Sequence, residues 1–149
     1  MFSGSFDGKG HTVSNFTVER TDGKMFTGLF SVHMNGGTIK NLTVKNAIVT
    51  GGVEQVAAIV PSVYENATVE NCHAIGCVTS GVKKVGAVVG LAGGGATVKD
   101  CSAKDCSVTT SNNKCEDGKL VNANLFGYAN GGTFEGNIDN GNNTLIYAE

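Results

Sequence analysis

The sequence predicts an all-β protein, wound as a single-stranded parallel β-helix. Three observations carry this expectation. Units recur near every 29 residues, and apolar side chains alternate with period two between one-residue corners. The composition holds 22 Gly but one Pro (Pro61) and no Trp in 149 residues. Gly and Asn supply tight turns, scattered Val, Thr and Ile supply short strands, and helices are poorly served. The length allows one domain, 1–149, with a sizeable core.

A Thr followed by an apolar residue marks each unit. The anchors are "TVSNFTV" from Thr12, "TIKNLTV" from Thr38, "TVENCHA" from Thr68, "TVKDCSA" from Thr97 and "TFEGNID" from Thr133. A second series precedes the later anchors: "GLFS" from Gly28, "AIVP" from Ala58, "AVVG" from Ala87 and "NLFG" from Asn124. Fixed-period self-similarity is the signature of a solenoid. The last spacing is stretched by a polar insertion, "TTSNNKCEDGK" (109–119), which has no counterpart in the other units.

Within a unit, "TIKNLTVKNAIV" places Ile39, Leu42, Val44, Ala47 and Val49 inward and Lys40, Thr43 and Lys45 outward, with breaks of phase at Asn41 and Asn46. Such runs describe strands that bend around a polygonal coil. About three strands of five or six residues fit one unit, and stacked units pair in parallel about 4.8 Å apart. About five coils are expected. The right-handed form follows by analogy with the crossover preference.

Stacking sorts residues into columns. Cys72 lies over Cys101 and Cys77 over Cys106, with Leu42 and Ala47 as their apolar equivalents one coil earlier. Four inward thiols acting as small hydrophobes are the expectation. Two inter-coil disulfides are the alternative, since the Cα spacing suits a disulfide better than the Cβ spacing does. Cys115 stands alone in the insertion. Third after each anchor come Ser14, Lys40, Glu70, Lys99 and Glu135, an alternation of sign that favours lateral pairing. Fourth come Asn15, Asn41, Asn71, Asp100 and Gly136, a corner ladder of residues that tolerate left-handed backbone. The sequons "NFT", "NLT" and "NAT" are by-products of that ladder.

Several function classes are excluded or disfavoured by composition. A formal charge of −2 with no concentrated basic patch argues against nucleic-acid binding. No apolar run reaches the roughly 20 residues of a membrane span, so membrane insertion is not expected. The polar start "MFSGSFDGKG" is no signal peptide, and Met1 is expected to open a piece of a longer protein.

With these segments quoted, the chain resembles GLUG-repeat proteins. "FSGSFDGKGHTVSNFTV", "TGLFS", "GGTIKNLTVKNAIVTGG", "ATVENCHAIGCVTSG", "VGAVVGLAGGGATVKDCSA" and "NLFGYANGGTF" carry the likeness over nearly the whole chain. The Gly-Leu-any-Gly core is matched in part, and the G-G-T-[IV]-[KE]-N pattern is kept better. The resemblance implies export, a secreted or bacterial cell-surface location, frequently in gut organisms, and a repeat-scaffold or adhesin-like role. It transfers no catalytic residue.

The expected function is a non-catalytic scaffold, spacer or adhesive module without cofactor or metal. Its expected partners are further coils or domains of a longer parent chain and a host or bacterial surface glycan or protein, with end-to-end self-association through open coil edges. The alternative is a glycan-binding or pectate-lyase-like β-helix. Its candidate acids would be Asp100 with Asp105, or Glu116 with Asp117. Ice binding through the Thr column is disfavoured by the Lys and Glu beside it. A recognition loop is placed in the insertion, at Asn112, Asn113, Lys114, Glu116 and Asp117.

Overall fold

The computed structural model describes residues 1–112, 125–139 and 141–148, and among these there is no helix. The first coil holds β1 (Ser5–Ser14), β2 (Thr17–Arg20) and β3 (His33–Asn35). The second holds β4 (Thr38–Lys45), β5 (Ile48–Gly51), β6 (Glu54–Ala57) and β7 (Val60–Tyr64). The third holds β8 (Thr68–Ile75), β9 (Val78–Gly86) and β10 (Val89–Gly93). The fourth holds β11 (Thr97–Lys99), β12 (Ser102–Lys104), β13 (Ser107–Asn112) and β14 (Phe126–Asn130), and the fifth holds β15 (Thr133–Glu135), β16 (Ile138–Asp139) and β17 (Thr144–Tyr147).

All pairings between these strands are parallel and join successive coils. The first face runs β1-β4-β8-β11-β15, the second β2-β5-β9-β13-β17, and the third β3-β7-β10-β14. The product is a β-solenoid of about four complete turns, the fifth coil contributing to two faces. The interior is a run of small apolar columns. Ile39, Leu42, Val44, Ala47 and Val49 are buried, as are Val69, Cys72, Ala74 and Cys77 above them.

Corners are made by single residues in left-handed conformation. The first corner runs Asn41, Asn71, Asp100 and Gly136, with φ of 58°, 50°, 54° and 66°. The second runs Asn15, Asn46, Gly76, Asp105 and Asn142, with φ of 59°, 55°, 62°, 53° and 55°. This placement corrects the expected register of the first coil. Thr38 pairs with Ser5 rather than Thr12, Lys40 with Asp7 rather than Ser14, and Asn15 stands beside Asn46 rather than Asn41. The cause is that both corners of one coil share a Thr-apolar-any-Asn sequence, "TIKN" and "TVKN" five residues apart, so the two are interchangeable by pattern. At the first corner β1 instead carries a three-residue bulge, Gly8–Lys9–Gly10, where β4 has Asn41 alone.

The insertion also begins later than its polarity implies. Thr109 and Thr110 pair with Ser80 and Gly81, and Asn112 pairs with Lys83, so 109–112 extend a strand. Thr110 is buried and its hydroxyl donates to Val82 O at 3.0 Å, which lets a polar residue continue the wall. Asn113, Lys114, Cys115, Glu116 and Asp117 lie outside the described residues.

Candidate functional site

The columns named from the sequence have definite surroundings. Cys101 lies over Cys72 and Cys106 over Cys77, between the matched pairs Lys99–Glu70, Ser102–His73 and Ser107–Val78. All four are buried free thiols. Each donates to the carbonyl two residues back, Cys72 to Glu70 O at 3.4 Å and Cys106 to Lys104 O at 3.3 Å. The Cys101 and Cys106 thiols are pushed up, first by hydrogen bonding to Cys72 and Cys77 and then by burial. A thiolate has no counter-ion there, so these side chains fill space.

On the outer side of the first face a charge column reads Asp7, Lys40, Glu70, Lys99, Glu135, each in register with the next. Lys99 Nζ lies 3.4 Å from Glu70 Oε1. Beside it, the Asn71 amide donates to Asn41 Oδ1 at 2.9 Å and the Asn41 amide to Asp7 Oδ1 at 3.0 Å. The Asp7 carboxyl sits below its ordinary range, chiefly because the Lys9 backbone N–H donates to it and next because Asn41 does. His73 is half-buried, bonded to Ser102 Oγ at 2.6 Å and Asn71 Oδ1 at 2.8 Å. Asp100 and Asp105 occupy separate corners of one coil. These columns join coil to coil.

The concave chemistry lies on the third face. Three corner residues exactly one repeat apart in number, Phe26, Gln55 and Lys84, all adopt left-handed φ of 66°, 62° and 55°. They form one bank of a groove that crosses the strands. The floor column is His33, Ser62, Leu91 and Tyr128, in mutual register, and the far column is Asn35, Tyr64, Gly93 and Asn130. Two adjoining cavities of about 610 and 450 Å³ share Tyr64 and Leu91.

Aromatic rings line this groove. Phe26 and His33 stand with centroids 5.6 Å apart, and His33 and Tyr64 6.1 Å apart. The Tyr64 ring lies against the Gly93–Gly94 backbone. A Cβ at Gly94 would come 2.5 Å from the ring, so only glycine leaves room. Lys84 Nζ stands 5.8 Å from the Tyr128 ring centroid, and Asn130 donates to the Tyr128 hydroxyl at 3.3 Å. Glu54 is paired with Lys83 at 2.7 Å and Lys84 at 3.6 Å. Its carboxyl is lowered first by the Lys83 hydrogen bond. His33 Nδ1 is held by Ser62 Oγ at 2.7 Å, and burial, then the amino-terminal charge, keeps its imidazole below the ordinary 6.5.

None of these groove residues stands out in the sequence. Phe26, Gln55 and Lys84 differ in type and share only their spacing. Tyr64 and Tyr128 are two coils apart, with Leu91 and two glycines between them in the stack. The spacing of residues one repeat apart was the available signal, and it reports position without reporting concavity.

The geometry defines a class of protein: a parallel β-solenoid repeat module, bearing one aromatic-lined groove. More particularly, it carries the GLUG motif, whose family model matches residues 83–109. That match covers one turn, from the end of β9 through β10, β11 and β12 into β13. Halomucin of Haloquadratum walsbyi is 39% identical over 77 residues, which is 52% of this chain and 1% of that protein. The chain thus spans about one hundredth of the length of that relative. No solved structure matches the chain.

Proposed function

We propose that the chain is a non-catalytic repeat module of an exported, surface-type protein, where it serves as a spacer or scaffold and supports adhesion. The observation that carries this reading is the parallel stacking of coil on coil. The inward thiols and the Asn41, Asn46 and Asn71 amides bond to the coil before, Lys99 pairs with Glu70, and each added coil extends a rod by about 4.8 Å. The GLUG match and the similarity to part of halomucin support a surface-type parent. The partners of the module are further coils or domains of a longer chain and, at the groove, a molecule of the cell exterior. The lyase-like alternative is less favoured, because Asp100 and Asp105 serve corners and no base converges on them among the described residues.

Antibodies raised against the purified chain test the reading on cells of the source organism. Labelling of intact, unpermeabilised cells is the expected result, and labelling only after permeabilisation overturns the surface assignment. In parallel, incubation with polysaccharides is expected to release no new reducing or unsaturated ends. Their appearance, at a rate proportional to protein added, overturns the non-catalytic one.

A further inference from the structure

The third-face groove holds one feature that stacking does not explain. Gln55 is 6% exposed and among the residues that line the larger cavity, and its Oε1 has no hydrogen-bond partner. Its amide nitrogen is already engaged, donating to Glu54 Oε1 at 3.3 Å and facing Met25 Sδ at 3.9 Å. A buried acceptor left unmet costs roughly 1–3 kcal/mol, and such groups in native proteins call for a ligand or water. Thr27 Oγ1 and Thr79 Oγ1 are also unmet, and of the three only Gln55 is among the residues that line the groove.

We propose that this groove binds an unbranched, uncharged hexose or N-acetylhexosamine oligosaccharide, laid along the solenoid axis across successive coils. Five properties select this ligand class. The groove runs across the strands, so the backbone groups of its floor are spent in the inter-coil ladder. An extended peptide would find no main-chain partners there, whereas a sugar is recognised by side chains alone. The Tyr64 ring, backed by Gly93 and Gly94, offers an apolar face on which the C–H face of a pyranose stacks. Tyr128, two coils along, offers a second. Around the rings stand groups that accept and donate to hydroxyls: Gln55 Oε1, the His33 imidazole, Asn35 and Asn130. The acid in the lining of the larger cavity, Glu65, accepts from hydroxyls and repels an acidic sugar, and Glu54 beside Gln55 is neutralised by Lys83 and Lys84. Finally, the coil rise of about 4.8 Å matches the advance of one pyranose in an extended chain, so successive sugars meet successive coils.

The proposal deepens the repeat-module reading by giving the module a ligand class, and its test does not depend on where the parent protein resides. The purified 149-residue chain is applied to an array of neutral, N-acetylated and acidic oligosaccharides together with proline-rich peptides. The best-bound hexasaccharide is then titrated calorimetrically against the parent chain, Tyr64→Ala, Gln55→Leu and a first-face control, Glu135→Gln, each checked by thermal melting. Binding to a neutral or N-acetylated oligosaccharide, weakened at least tenfold by Tyr64→Ala and by Gln55→Leu but not by Glu135→Gln, is expected. Should Tyr64→Ala fail to fold, Gln55→Leu decides, because it removes an unmet buried acceptor and is expected to melt no lower than the parent. Absence of any oligosaccharide hit, a preference for acidic glycans or peptides, or binding indifferent to the folded variants overturns the proposal. Surface labelling that fails while the array succeeds sinks the module's location and leaves the groove standing.

Discussion

Asn41 turns the chain at φ 58° and at the same time links two coils, accepting from Asn71 and donating to Asp7. The two duties explain why Asn recurs at corners: its amide bonds locally and it tolerates the left-handed region better than other side chains. Asn41→Val forces a β-branched residue into that conformation and removes both amide bonds. A loss of about 1–3 kcal/mol is expected from the strain alone, and Asn41→Gly, which keeps the backbone conformation easy, should lose clearly less. Urea unfolding of both variants checks the order, and equal losses would show that the ladder bonds rather than the backbone set the cost. At this scale the sequence was largely readable. Asn, Asp and Gly at matched positions announce corners, and the inward phase of Cys72, Cys77, Cys101 and Cys106 follows from their apolar equivalents. Asn15 belongs to the second corner rather than the first, because the two corners of a coil look alike in sequence.

Between elements, the third face depends on close backbone approach. A Cβ at Gly90 would come 2.6 Å from Pro61 O and 2.8 Å from Lys84 O, backbone atoms on two sides. The motif glycine thus lets β10 sit against both neighbouring segments. Gly90→Ala must part them, and a loss of about 1–3 kcal/mol, typical of overpacking, is expected in guanidinium unfolding. Stability equal to the parent's would mean that the coils can spread freely. The charge column of the first face is a weaker bond between elements, since exposed opposite pairs across strands contribute about 0.2–1 kcal/mol. Its five alternating members were legible except for the first, where Asp7 stands and Ser14 was expected. The groove at this scale was not legible, because its banks are built from corner residues of unlike type.

Over the whole molecule, the two ends differ. At the first coil, Phe6 and Val13 occupy core columns yet are each 38% exposed. At the last, the inward positions carry Asn137, Asp139 and Asn143 in register with Cys101, Ala103 and Cys106. Asn137 accepts from Cys101 N at 3.0 Å and donates to Val98 O at 2.9 Å, and Asn143 does the same for Cys106 N and Ala103 O, at 2.8 Å each. At the last coil polar side chains thus share the inward positions with Phe134 and Leu145, which pack on the core, whereas at the first coil apolar side chains in core columns stand partly exposed. Acid should unfold this rod in two stages. His33 and His73 are both held below 6.5 by burial. The unfolded chain therefore takes up their protons first, and the stability they contribute, full above 6.5, falls as pH drops through and below that value. Asp7, Asp22 and Glu54 are lowered from 3.8, 3.8 and 4.5, chiefly by hydrogen bonds from Lys9 N, Lys24 N and the Lys83 side chain. Their contribution, present above those values, is lost on further acidification. Melting temperatures measured from pH 8 to pH 3 should decline in both windows, and a flat profile between pH 7 and pH 5 would rule out the histidine stage.

The sequence by itself determined the winding, the inward columns and the corner chemistry. Each is set by a pattern of residue types repeated locally, and every copy of the pattern votes for the same backbone. Only the tertiary structure decided the first coil's register, the bonds by which Asn137 and Asn143 join the last coil to the one before, and the groove of the third face. These arise where residues one to two coils apart and unlike in chemistry are brought side by side, and the pattern of one repeat holds no record of what stacks upon it.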